Sequence, residues 1–587
     1  MQVFGDATQR ETVACKLDRL RAMLVQAQDS APGLGRHGRL VAALIEAGEL
    51  TQGIADARFH ANGGCDAPAQ DVDASMSLTL LLAQLCARSW HSAFHDALAV
   101  PWEAIEACAA RLPAADLEVR QPEGYAFYAL YPECYLEAAR RLGAGPWRVI
   151  GLRSIGTSLA ALVATALGDP RPVTLRPVGH PFGRRVAWRA APRTEPALHH
   201  AVVDEGPGLS GSSMAAVIRL LREEEGVAPQ RIHLLTAHAR GPGPRSSPQV
   251  RALWAQATPH AADFDAVILQ AAEPAHRLQA WVEACIGPLH RPLEDIGGGR
   301  WRRTHGLSQA SWPPVHPWQE RRKFLAVSDS GTWLVKFAGL GHRAQERIAC
   351  ARALAAAGFC PEVAGACHGF MVERWQADMA PLSLARLAEP PLRERLRARV
   401  ADYLAFRARS FAVRGGGGAS LAALCDMARH NATEALGPAA AGNWEHLRAL
   451  AVSLQSRVRS VRTDSRMQPW EWIADGERLL KTDAVDHHAG HDLVGCQDMA
   501  WDVAGVLTEF VLDCDELVAL LQALAARGCT VDPALLGVYA AVYPAFQLGH
   551  ATLAAQDTAD GAERARLQHR MRQLTGALQA QCARLAS

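Results

Sequence analysis

Four short apolar runs alternate with helical stretches between residues 147 and 236, and this alternation constrains the fold more than any other feature. The runs are 147–152 (Trp-Arg-Val-Ile-Gly-Leu), 173–176 (Val-Thr-Leu-Arg), 200–204 (His-Ala-Val-Val-Asp) and 231–236 (Arg-Ile-His-Leu-Leu-Thr). Helical patterns fill 158–167 and 213–224 between them. Strands that alternate with helices predict a parallel sheet. Ligands of such sheets sit outside the carboxyl ends of the strands, so chemistry is expected in the loops that follow 152 and 204.

The flanking regions read differently. In residues 1–120, Leu17, Leu20, Met23 and Leu24 recur at helical spacing, as do Leu40, Ala43, Leu44 and Ala47. No polar constellation there suggests chemistry, so a structural or capping segment is expected. A stretch rich in Gly, Pro, Arg and Trp at 297–318 reads as a linker. Beyond it, runs at 324–327 and 332–337 flank a Ser-Asp-Ser-Gly turn, a hairpin pattern. A helix is expected over 342–357, a strand over 369–375, then a mostly helical remainder, with the glycine run 415–418 as a loop. The expected fold class is multidomain, α/β plus α+β. It comprises a helical N-terminal segment (1–120), a parallel-sheet domain (121–300) and a two-lobed domain (301–587).

Composition excludes several classes. The 587 residues carry 61 Lys+Arg against 60 Asp+Glu, which argues against a polyelectrolyte binder. At 49% hydrophobic and 21% charged, the chain has ample core material and is not disordered. The fourteen Cys form no Cys-x-x-Cys pair and read as reduced cytosolic thiols. The first sixteen residues lack the apolar run of a signal peptide. The most apolar stretch, 78–87, falls short of the roughly 20 residues that cross a bilayer. The basic stretch 393–399 reads as a solvated face. The expectation is a soluble cytoplasmic protein that handles small molecules, with no nucleic acid or membrane partner and an open oligomeric state.

Residues 199–213 read His-His-Ala-Val-Val-Asp-Glu-Gly-Pro-Gly-Leu-Ser-Gly-Ser-Ser: a strand, an acidic pair, a Gly/Ser loop and a helix start. Backbone N–H groups at such a helix start, with hydroxyls beside them, suit a phosphate. The acidic pair Asp204 and Glu205 would repel phosphate and suits sugar hydroxyls or magnesium. Together they point to a sugar phosphate. The segment resembles the phosphoribosyl diphosphate (PRPP) loop of type I phosphoribosyltransferases. The resemblance implies that Asp204 and Glu205 hold the ribose and act catalytically, and that Ser210, Gly211, Ser212 and Ser213 hold the 5-phosphate. The spacer 206–209 is one residue longer than is usual in that family. About 50 residues upstream, 149–159 resembles the family's diphosphate loop, with Arg153, Ser154, Gly156, Thr157 and Ser158 at the turn. The segment 176–185 between the two is either a loop that closes over the substrate or a surface hairpin.

The last third carries a second constellation. Lys336 interrupts an apolar strand, where a charge needs a partner or a phosphate. Glu346 follows ten residues later on the next helix. A strand Lys paired with a helix Glu, facing nucleotide phosphates, is a kinase arrangement. Further on come Asp464, Gln468 and Asp483, oxygen groups suited to a catalytic loop and a magnesium ion. This region resembles the aminoglycoside phosphotransferase and choline kinase-like branch of the protein-kinase fold. The resemblance implies Asp464 as the catalytic Asp, Lys336 and Glu346 as ATP-binding, Gln468 and Asp483 as metal ligands, and Asp502 as a brace of the catalytic loop. Three departures stand out: Arg-Thr replaces His-Gly before Asp464, Gln468 stands one position short of the expected Asn, and 486–492 is inserted. In that insertion, His487 and His491 share a helical spacing near Asp483, Asp486 and Asp492, with His488 as an alternative ligand, so a zinc site is a further option.

The functional expectation is a bifunctional transferase. One half would transfer phosphoribosyl from PRPP, and the other would phosphorylate a nucleoside-like metabolite with ATP and Mg2+. The alternatives are a PRPP- or nucleotide-sensing regulatory protein with a pseudokinase half, and a metal-dependent hydrolase centred on His487 and His491.

Overall fold

Trp147–Leu152 is buried along its whole length and is an interior strand of a five-stranded sheet. The strand order is Val173–Leu175, Trp147–Leu152, His199–Val203, Ile232–Thr236 and Thr258–Ala261, with every neighbouring pair parallel. From Trp147–Leu152 the chain crosses to one side, then returns to His199–Val203 on the other. The order therefore reverses between these two strands, and a crevice opens at their carboxyl ends. Helices Gly156–Leu167 and Ser212–Arg219 start from the two loops that flank it. Two glycines permit the first turn. A side chain at Gly151 would begin 2.1 Å from the Gly156 carbonyl, and one at Gly156 would begin 2.6 Å from the Val203 carbonyl.

The computed structural model describes residues 1–4, 8–189, 197–208, 210–243, 246–317, 319–413, 417–441, 444–490 and 494–586. Leu209 of the PRPP-loop spacer, Gly415 and Gly416 of the glycine run, and His491 and Asp492 of the insertion lie outside the described residues. No helix among the described residues is long and apolar enough to cross a membrane.

A second five-stranded sheet is antiparallel, in the order Val363–Cys367, Phe370–Arg374, Gly331–Phe337, Lys323–Ser328 and Glu294–Asp295. The expected hairpin is present, with Gly331 opposite Ser328. Helix His342–Ala356 follows it. A small sheet of Ala380–Pro381, Trp472–Ala474 and Leu479–Lys481 sits among the helices of the C-terminal part.

Several elements escape the sequence patterns. Thr258–Ala261 contains Pro and His, and Val363–Cys367 is built of Val, Ala, Gly and Cys, so neither reads as an apolar run. The helical N-terminal segment also contains two strands, Thr8–Thr12 and Asp116–Arg120, paired antiparallel. The helix expected over 213–224 becomes a π-helix at Leu220–Glu224.

One hydrophobic core runs through all three regions. It joins Leu20, Leu44 and Trp90 to Val149 and Leu159, and these to Val335 and Phe370. Each fully buried side chain of this kind contributes about 1.5–3 kcal/mol. A second core, with Leu354, Leu404, Met467, Trp472 and Trp501, fills the C-terminal part. Charges also bind the regions together. Buried Lys16 bonds Glu46 at 3.0 Å and Glu49 at 2.9 Å, while His342 and Arg343 reach the same two carboxylates at 3.1 and 2.9 Å.

Candidate active site

The parallel sheet brings the two expected loops to its switch-point crevice. Asp204 and Glu205 follow strand His199–Val203, and Arg153, Ser154 and Thr157 follow Trp147–Leu152. The Asp204 carboxylate accepts from the Glu205 N–H at 2.8 Å, and the Tyr135 hydroxyl donates to the Asp204 carbonyl at 2.8 Å. Burial, with the Glu205 charge adding to it, pushes the Asp204 carboxyl up to about 7. Gly211 takes a left-handed conformation, φ 67°, where the loop enters helix Ser212–Arg219.

Contacts at this site correct two expectations. Arg153 does not face the crevice as a diphosphate ligand. Its guanidinium is buried and donates to Asp56 at 2.9 Å, to Asp66 at 2.6 Å and to the Thr174 carbonyl at 3.0 Å. Both carboxylates come from the N-terminal region, whose lack of an apparent polar constellation hid their role. Arg176 also bonds Asp56, at 2.8 Å. The hydroxyls of Ser210 and Ser212 are likewise engaged, donating to the Pro181 carbonyl at 2.7 and 2.6 Å. The segment 176–185 thus lies over the Ser cradle, held as a hairpin by a Val178–Arg185 bridge. The Thr157 hydroxyl is buried without a hydrogen-bond partner in the described structure.

The second constellation surrounds a cavity of about 260 Å³. Lys336 enters it from hairpin strand Gly331–Phe337, while Gln468, Glu471, Asp483, Asp486 and His487 enter from the C-terminal part. Trp301 and His316 also line it, so the 297–318 stretch is a cavity wall rather than a simple connector. Lys336 Nζ forms an ion pair with Asp483 Oδ1. Burial opposes both charges, but the pair overcomes it. Asp483, Asp486 and Glu373 hold the Lys336 ammonium above its ordinary value, and Lys336 with His487 holds the Asp483 carboxyl well below. Glu373, opposite Leu334 in the sheet, is raised to about 7, mainly by burial.

Glu346 does not pair with Lys336. It bonds Arg462 at 2.8 Å on the outside of the cleft. The residue next to it, Arg347, is the one that is buried, and it donates to the carbonyls of Ala126 and Ala338 at 2.8 Å each. One residue is about 100° of helix rotation, and that turns Glu346 outward.

Asp464 also departs from its expected place as the catalytic Asp beside the acceptor hydroxyl. Its side chain has no exposure and does not line the cavity. Oδ2 accepts from the Tyr403 hydroxyl and faces Lys481 Nζ at 3.3 Å, and the Asp464 carbonyl receives His487 Nδ1 at 3.1 Å. Burial opposes this carboxylate, but Lys481 and His487 hold it ionised. Asp502 braces the loop: its two oxygens accept the N–H groups of Asp464 and Ser465, each at 2.8 Å. Ser465 is left-handed, φ 60°, a conformation these bonds support.

Gln468 and Asp483, the expected metal ligands, both reach the cavity. Gln468 Oε1 is buried and has no hydrogen-bond partner in the described structure, so it offers a free oxygen donor. With a carboxylate beside it, the donor set suits a hard divalent cation such as Mg2+. His487 opens a single 3-10 turn, His487–Ala489, and the pairing expected with His491 falls outside the described residues. Among the described residues, ligand atoms of Asp483, Asp486 and His487 lie within 4.8 Å of one another. Lys481 carries a signal that reading along the sequence passes over. It ends the apolar run Leu-Leu-Lys, the same anomaly that marks Lys336.

No protein-family model matches this sequence, and no curated protein matches it. Among solved structures, a choline/ethanolamine kinase family protein from Mesorhizobium loti is similar at 20% identity and a TM-score of 0.34, over 54% of this chain and 96% of that one. Choline kinase LicA from Streptococcus pneumoniae is similar at 16% identity and a TM-score of 0.30, over 43% and 89%. An aminoglycoside phosphotransferase from Alicyclobacillus acidocaldarius is similar at 13% identity and a TM-score of 0.31, over 45% and 89%. Likenesses this loose leave the side-chain geometry as the basis for function.

Proposed function

We propose that the cleft between Lys336 and Asp483 is the active site of an ATP-dependent phosphotransferase for small molecules. One observation carries this reading. A strand Lys and a carboxylate from the opposite half meet across a cavity, beside a buried amide oxygen with no partner. Lys336 would hold phosphate oxygens of the nucleotide. Asp483 and Gln468 would hold Mg2+, which neutralises charge on the transferring phosphoryl group. Asp464, fixed by Lys481 and Asp502, acts as a positioning residue that sets the loop leading to Gln468. Trp301, Trp375 and Trp470 line the same cavity, and aromatic faces of this kind suit a cationic acceptor. Choline, ethanolamine and aminoglycosides, named for the similar solved structures, therefore belong in the acceptor panel.

ADP release from ATP, measured across that panel and nucleosides, tests the reading. Acceptor-dependent ADP is expected from the wild type, with a loss of at least a hundredfold in Asp483→Asn and Lys336→Met. ATP binding without turnover for any acceptor would favour the nucleotide-sensing alternative.

For the parallel sheet we infer a PRPP-type ligand at the switch-point crevice, on the strength of Asp204 and Glu205 standing at its mouth. Arg153 is held by Asp56 and Asp66, which favours binding over transfer at this site. PRPP should raise the melting temperature of the wild type but not of Asp204→Asn. Diphosphate release with nucleobases would restore the transferase reading.

A further inference from the structure

His37, Glu133 and His368 come from three distant parts of the chain and meet in one buried cluster. His37 lies on helix Leu34–Ala61, Glu133 in the first turn of helix Pro132–Arg140, and His368 in the turn between Val363–Cys367 and Phe370–Arg374. None of the three side chains is more than 2% exposed. Glu133 Oε1 contacts His37 Nε2 at 2.8 Å and His368 Nε2 at 2.6 Å. Its other oxygen, Oε2, is buried with no hydrogen-bond partner in the described structure.

The surroundings are aromatic. His37 stands 4.9 Å from the Phe94 ring, and His368 stands 5.2 Å from Tyr131 and 5.4 Å from Trp281. Among the described residues, no Lys or Arg forms an ion pair with Glu133. A carboxylate buried in such a place needs a positive partner, and a bare oxygen there is costly. His37 Nδ1 lies 3.0 Å from Ser89 Oγ, and a proton on Nδ1 shared with that hydroxyl leaves Nε2 free to ligate. The Tyr131 hydroxyl fixes the third ligand by donating to the His368 carbonyl at 2.5 Å.

We propose that His37, Glu133 and His368 form a closed structural site for a zinc-class metal ion, which clamps the N-terminal helices, the parallel-sheet region and the antiparallel sheet together. The three ligand atoms already lie within 4.8 Å of one another. Zinc bonds of about 2.0–2.1 Å place tetrahedral ligand atoms about 3.3 Å apart, so the two contacts to Glu133 Oε1 open by about 0.5–0.7 Å. The bare Glu133 oxygen or one water closes the fourth position.

The test is metal analysis of the purified full-length protein after zinc loading and dialysis. One zinc per chain is expected to disappear in Glu133→Gln and His368→Ala and to persist in Asp483→Asn, which separates this site from the cleft. Cobalt loading of the wild type should give the intense visible bands of a tetrahedral ion with nitrogen ligands, and Asp483→Asn should leave them unchanged. This readout decides the matter even where the cluster variants fail to fold. Wild-type protein that takes up neither zinc nor cobalt would overturn the proposal, as would a metal content that Asp483→Asn abolishes and Glu133→Gln leaves intact.

Discussion

Lys481 Nζ and Asp464 Oδ2 face each other at 3.3 Å, and neither side chain has any exposed surface. Removing one partner strands the other charge in the core, at a cost of about 3–5 kcal/mol. Lys481→Met and Asp464→Asn should each lower the unfolding free energy, read from denaturant curves, by that amount, and the double variant should lose less than the sum. Additive losses would show that the two charges do not depend on each other.

Asp502 acts through the loop it holds. Its two oxygens tie down the N–H groups of Asp464 and Ser465, and Asp502→Ala would leave both buried donors bare. Each lost bond costs about 1–3 kcal/mol. The loop leads directly to Gln468, so turnover should fall at least tenfold in Asp502→Ala. Asp502→Asn, which keeps one acceptor, should recover part of it. An unchanged kcat in Asp502→Ala would separate this loop from catalysis.

The N-terminal helices are fastened to helix His342–Ala356 by charges that respond to acid. Burial alone would raise the Glu46 carboxyl, but His342, Lys16 and Arg19 outweigh it and hold it at about 2, against an ordinary 4.5. A depressed acid stabilises the fold fully above pH 4.5 and loses that contribution as pH falls toward 2. The shift corresponds to about 3 kcal/mol. Urea unfolding should therefore show wild-type stability dropping steeply between pH 4.5 and 2, and a shallower drop in Glu46→Gln. Parallel pH profiles would remove Glu46 from the acid response.

Much of this fold is legible in apolar runs. Segments such as 147–152 and 199–203 are buried on both faces, so their composition alone announces a parallel sheet, and the glycines at 151 and 156 mark the turn into the crevice. Strands Thr258–Ala261 and Val363–Cys367 leave no such trace, because their neighbours in the sheet supply the pairing. At the sites, a lone charge in an apolar strand is a sound signal: Lys336 does meet a carboxylate across the cleft. The identity of its partner is not legible, because one residue on helix His342–Ala356 decides whether Glu346 or Arg347 turns inward. The engagement of Arg153 by Asp56 and Asp66 is hidden for a different reason. It joins residues 97 and 87 positions apart, and no local pattern records a contact across that distance.

Asp204 links stability to ligand binding with opposite signs. Burial raises its carboxyl to about 7, from an ordinary 3.8, with the Glu205 charge adding to the effect and the Glu205 N–H opposing it. A raised acid binds its proton more tightly in the folded state, so stability falls as pH climbs from 3.8 to 7, and the full cost applies above 7. Residual solvent contact at Asp204 reduces that cost to about 1–3 kcal/mol. Asp204→Asn removes the ionisable group and keeps its shape. The variant should be more stable than the wild type at pH 8 by that amount, with the difference vanishing below pH 4, while losing the stabilisation that PRPP confers. Chemical denaturation at both pH values, with and without PRPP, reads both effects. A variant less stable than the wild type at pH 8 would mean that Asp204 serves the fold rather than a ligand.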